Sequence, residues 1–154
     1  MDNKLKSKTR LAFIQYIFLS LSSNDDLNII KNDFNDYFHN LSVSSIDDKF
    51  DSKIQFNKKM FNQLIDNYNE FIKNNDPNLL VNPLIDFERK FSKWSKINQS
   101  ILLSIICELR NVSKEKIKII LNDYLNISKS FITKKELKML NAIIDKYLNE
   151  KKYI

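Results

Sequence analysis

Thr133-Lys-Lys-Glu-Leu-Lys-Met-Leu-Asn-Ala-Ile-Ile-Asp-Lys-Tyr-Leu148 carries both halves of a helix signature. A threonine followed three residues later by a glutamate matches a capping box, in which the hydroxyl accepts from one free N–H of the first turn and the carboxylate reaches back to another. Behind it, Leu137, Leu140, Ile143, Ile144, Tyr147 and Leu148 recur at three- and four-residue steps, which places them on one helical face.

The same period continues toward the N-terminus. Ile117, Ile120, Leu121, Tyr124, Leu125 and Ile127 define a helix behind the connector Asn111-Val-Ser-Lys114, and Ile97 to Leu109 is a strongly apolar helix before it. Pro83 opens or limits a short helix bearing Leu84, Phe87, Phe91 and Trp94, and Asn74-Asn-Asp-Pro77 stops the helix ahead of it. That helix is expected from about Asp48 to Lys73, carrying Ile54, Met60, Phe61, Leu64, Ile65, Tyr68, Phe71 and Ile72, after a loop at Ser42–Asp48. A further helix is expected from about Asp25 to Leu41. The first, about Ser7 to Ser22, is apolar nearly all round and so should be central to a core.

Composition agrees with this pattern. The 154 residues include no glycine and two prolines. Tight hairpins, phosphate-cradling loops and dinucleotide fingerprints all draw on glycine, so Walker and Rossmann chemistry is excluded and the fold class is all-α. We expect one domain, 1–154, of about seven helices: a basic arm over 1–10 and two small helical subdomains at about 11–75 and 76–154. The first helix and the Ile97–Leu109 helix are expected in separate subdomain cores.

Lys+Arg outnumber Asp+Glu by 25 to 19, a net charge of +6 that favours an anionic partner. A single cysteine, Cys107, sits in an apolar run and reads as a buried structural thiol, and one histidine, His39, cannot build a metal site with it. Asp47-Asp48 reads as a helix start, and no catalytic constellation is found, so no enzymatic activity, metal or cofactor is expected. Lys4, Lys6, Lys8 and Arg10 ahead of the run Leu11–Leu21 imitate a secretory signal, but Gln15 interrupts the run and no small-residue cleavage site follows. The run is also too short to span a bilayer. The expected compartment is the cytoplasm, without membrane association.

Three stretches resemble a known family. Ile119-Ile-Leu-Asn-Asp-Tyr-Leu-Asn-Ile-Ser-Lys-Ser-Phe131 followed by Lys138-Met-Leu-Asn-Ala-Ile-Ile-Asp-Lys146 is similar to the C-terminal signature of the NusB family. Ser100-Ile-Leu-Leu-Ser-Ile-Ile-Cys-Glu-Leu109 resembles the helix before it, and Arg10-Leu-Ala-Phe-Ile-Gln-Tyr-Ile-Phe18 resembles the family's start after its basic arm. The stretch from Asn24 to Lys96 matches only in helical pattern.

The resemblance implies a transcription antitermination factor that pairs with the ribosomal protein NusE, works with other Nus factors, and binds single-stranded boxA-type RNA in nascent ribosomal-RNA transcripts. It puts Lys4, Lys6, Lys8, Arg10, Lys118, Lys135, Lys138 and Met139 on the RNA-facing side, and Asn98 and Asn141 on the partner-facing side. Several positions depart from the family pattern. Met139 replaces an aromatic residue, Leu103 an arginine, Ala142 a glycine, and the arm is mostly lysine, which holds phosphate as a point charge without the stacking guanidinium. These losses are expected to weaken RNA binding more than partner binding. A NusB-like protein-interaction module with weak or lost RNA binding is the alternative.

Overall fold

The computed structural model describes residues 2–23, 26–32 and 56–151, and within them every regular element is helical. In chain order these are α1 (Asn3–Ser22), α2 (helical over 27–32), α3 (Lys58–Asn74), α4 (Pro77–Val81), α5 (Lys96–Leu109), α6 (Lys114–Ser128) and α7 (Lys134–Glu150). Two 3₁₀ turns, Asn82–Leu84 and Phe91–Lys93, lie between α4 and α5.

The ends follow local chemistry. The capping box is present as expected: Glu136 N–H donates to Thr133 Oγ1 at 3.1 Å, and Thr133 N–H donates to the Glu136 carboxylate at 3.0 Å. Asn57 Oδ1 accepts from Met60 N–H at 2.8 Å to open α3, and Asp76 with Pro77 opens α4. Phe56 and Asn57 are therefore outside the helix expected to run from about Asp48. The expectations for 33–55, which include His39, Asp47-Asp48, the Ser42–Asp48 loop and Ile54, fall outside the described residues.

Two further expectations are corrected. The segment after Pro83 is not one helix, because residues 85–90 are irregular between the two 3₁₀ turns. Side chains supply the bonds that a helix ladder would have made: Phe91 N–H donates to Asn82 Oδ1 at 2.9 Å, and buried Gln99 donates to the carbonyls of Phe91 and Trp94, both at 3.0 Å.

The separate cores are the second correction. Every residue of α5 from Asn98 to Leu109 is buried, and α5 packs against α1, α3, α6 and α7. Its most extensive neighbour is α1, which also meets α3 and α6, so both helices share one continuous core. An all-round apolar helix can bury several faces at once, and α1 does so with Phe13, Ile14, Tyr16 and Ile17. Tyr16 packs edge-on to Phe61 and Tyr68 with ring centres 6.3 and 6.2 Å away, and its hydroxyl is 3.2 Å from the Leu27 carbonyl and 3.1 Å from Asn69 Oδ1. Cys107 is a buried thiol whose pKa burial pushes up to about 12, so it is held protonated and unreactive. No helix among the described residues is long and apolar enough to cross a membrane.

Candidate nucleic-acid interface

The basic arm is not an arm. Asp2 Oδ1 accepts from Leu5 N–H at 2.7 Å and starts α1 there, so residues 3–10 are its first turns. Tertiary bonds hold them: Ser7 Oγ donates to Asp123 Oδ1 at 2.6 Å, and Asn57 N–H donates to Thr9 Oγ1 at 2.9 Å. Lys4 and Lys8 are exposed one turn apart on the same face, and Lys6 is half-buried.

Arg10 departs furthest from expectation. It is 7% exposed, beside Glu108 at 8%. Its Nε lies 3.0 Å from Glu108 Oε1, its Nη2 2.8 Å from Oε2, and its Nη1 2.6 Å from Asp123 Oδ2. The Tyr124 hydroxyl donates to Glu108 Oε1 at 2.6 Å, and the Arg10 guanidinium sits 5.7 Å from the Tyr124 ring centre. Burial opposes the guanidinium charge, but the bonds and charge of Glu108, then Asp123, more than offset it and the pKa rises. With its donors turned inward, Arg10 is withdrawn from the RNA-facing set that the resemblance implied. A groove of about 760 Å³ runs over this network between α1 and α6, with Lys6, Lys116 and Ile119 among its walls. Two carboxylates against one guanidinium leave its floor with a surplus negative charge.

A second cavity, a cleft of about 580 Å³, gathers three of the expected residues: Asn98 from the start of α5, and Lys135 and Met139 from the start of α7. Glu136 joins them, and Phe87, Arg89, Trp94 and Ser95 close the other side. Lys138 is exposed, and its three-residue step from Lys135 puts it on the same side of α7. Lys118 is exposed on α6 and Asn141 is half-buried on α7; neither lines the cleft or the groove.

The cleft floor is polar. Asn98 is 6% exposed, and its Nδ2 donates to the Glu136 carboxylate, which also accepts from the Thr133 N–H and hydroxyl. These donors, Asn98 first, hold the Glu136 carboxyl below the ordinary carboxylate range. Among the described residues Asn98 Oδ1 is buried without a partner. Such an acceptor costs about 1–3 kcal/mol. Thr133→Ala should therefore cost about 1 kcal/mol through loss of the cap. The depressed Glu136 pKa makes its own contribution complete above the unfolded value near 4.3 and lost as pH falls through the lower folded value. Urea melts of the wild type and Glu136→Ala should thus differ most at neutral pH and draw closer as the pH falls below the ordinary carboxylate range; a constant gap would contradict the bonding described.

Phe87 and Trp94 were expected only on the face of a short helix, and Arg89 was not among the expected site residues. Sequence reasoning also missed Glu108 and Asp123 as the partners of Arg10. The available signal was Glu108 itself, an acid inside the apolar run Ile101–Leu109 that needed a cation once buried.

Over 158 residues the chain is 29% identical to the transcription antitermination protein NusB of Rickettsia bellii, covering 98% of this chain and 96% of that protein. Proteins of the same name from Rickettsia massiliae and Rickettsia conorii are 26% and 25% identical over 153 residues, with 97% of this chain and 96% of each relative covered. No family model matches the chain, and no solved structure matches it.

Proposed function

We propose that this chain, a divergent member of the NusB family, is a transcription antitermination factor that pairs with the ribosomal protein NusE, works with other Nus factors, and binds single-stranded boxA-type RNA in nascent ribosomal-RNA transcripts. It acts in the cytoplasm by binding, without catalysis or a cofactor. The observation that carries the reading is the cleft in which Asn98 of α5 meets Lys135 and Met139, one turn apart on α7, beside an arginine and an exposed ring. Similarity to NusB proteins over almost the whole chain supports the same role.

Lys4, Lys6 and Lys8 supply phosphate attraction in this reading. Cations in the first turns of a helix stand where the macrodipole is already positive, an arrangement that an anionic partner relieves. Arg10 contributes none of it. Changing the three lysines together to Ala should weaken RNA binding similarly across sequences and flatten the salt dependence by up to about two units, at about 0.7 per phosphate contact. The melting temperature should change little, because two of the three charges are exposed, the third is half-buried, and none is in an ion pair among the described residues.

Binding of the purified chain to its own NusE and to boxA-type RNA, measured at several salt concentrations, tests the reading. Salt-dependent RNA binding strengthened by NusE is the expected result. Binding to NusE with none to RNA would favour the helical protein-interaction module, and binding to neither would overturn the assignment.

A further inference from the structure

The cleft contains an aromatic pair that the family resemblance does not supply. Met139 stands where the family carries a ring, yet Phe87, from the irregular segment between the 3₁₀ turns, lines the same cleft. We infer that Phe87, backed by Trp94, is a base-stacking platform on which an unpaired nucleobase of single-stranded RNA is held opposite Met139. The inference rests on the RNA-binding reading above and assigns it a contact point.

Four observations carry it. Phe87 is 41% exposed, so its side chain can be reached from solvent. It lies near-parallel to Trp94, with ring centres 6.2 Å apart and planes at 19°. Trp94 is itself fixed: its indole N–H donates to the Arg89 carbonyl at 3.2 Å and its ring packs edge-on to Phe91 at 5.1 Å. Trp94 is thus held in place before any ligand arrives, so little of its own ordering is left to oppose binding. Finally, Arg89 and Lys135 flank the cleft, and a nucleotide brings both the flat apolar face that Phe87 can meet and the phosphate that these cations attract. The Glu136 carboxylate in the same cleft is already engaged by Asn98 and Thr133, which blunts its opposition to an anion.

Trp94 is the one tryptophan in the sequence, so its fluorescence reports directly on the cleft. The chain is titrated with boxA-type RNA and with a scrambled RNA of equal length, for wild type, Phe87→Leu and Phe87→Tyr. RNA should quench Trp94. Phe87→Leu should weaken binding roughly tenfold, as expected for one lost base–aromatic stack, with the salt slope and melting temperature unchanged. Phe87→Tyr, which keeps a ring, should bind nearly as the wild type does. If RNA binds with its normal salt dependence but leaves Trp94 unquenched and Phe87→Leu unaffected, the platform is overturned and the RNA-binding reading survives. If Phe87→Leu instead loses NusE and keeps RNA, the cleft is a protein-docking surface and the inference fails. A wild-type chain that binds no RNA at any salt concentration would overturn both.

Discussion

Arg10→Met should destabilise the protein by roughly 3–5 kcal/mol, because it leaves the Glu108 carboxylate buried without its cation. For a chain of this length, that is a fall in melting temperature on the order of 10 °C. Methionine fills a similar volume, so the loss reports the charge more than the cavity. Glu108 would retain only the Tyr124 hydroxyl among its present partners, and Asp123 only the Ser7 hydroxyl. The double variant Arg10→Met with Glu108→Leu should recover only part of the loss: the unpaired buried charge is gone, but the buried Tyr124 hydroxyl is left without its acceptor. A single-variant loss under about 1 kcal/mol would mean that water reaches Glu108 and that the network is a surface feature. The same variant should leave the salt slope of RNA binding unchanged, which separates Arg10 from Lys4, Lys6 and Lys8.

Leu103→Ala should cost roughly 2–5 kcal/mol. Leu103 is 0% exposed on α5, which packs against α1, α3, α6 and α7, so neighbours on several sides cannot collapse together into the space left. Denaturant melts read the effect as a lower midpoint at an unchanged slope. The position also bears on function. Its difference from the family's arginine lies in the core, where it removes no surface contact to RNA, and Leu103→Arg should prevent folding by burying an unpaired charge. A folded, soluble Leu103→Arg protein would show that this face of α5 opens to solvent.

The helices α5, α6 and α7 were legible because each carries its own start or stop: the Thr133–Glu136 box, the Asn111–Lys114 connector, and an apolar run long enough to decide the period. The stretch between α4 and α5 was not. Its apolar residues recur at helical spacing, but its backbone is held by Asn82 and Gln99, whose reach across the fold leaves no periodic trace. For the interface, Asn98, Lys135 and Met139 were reached through family resemblance, whereas Phe87 and Trp94 were placed only by their helical spacing. An exposed ring and a buried one have the same sequence signature; only Trp94 proved to be core.

Helical character, the lack of glycine-dependent phosphate loops and the excess of cations could be read from the residues alone, because composition and periodicity act through local backbone preference and summed charge. Which cations face outward depends on how the helices pack. Lys4 and Arg10 are written in one basic run, yet Lys4 meets solvent while Arg10 is turned onto Glu108 and Asp123, residues far along the chain. A charge's role depends on what the fold brings within a few ångströms of it, and pairing across that sequence distance is decided by how α1 packs on α5 and α6.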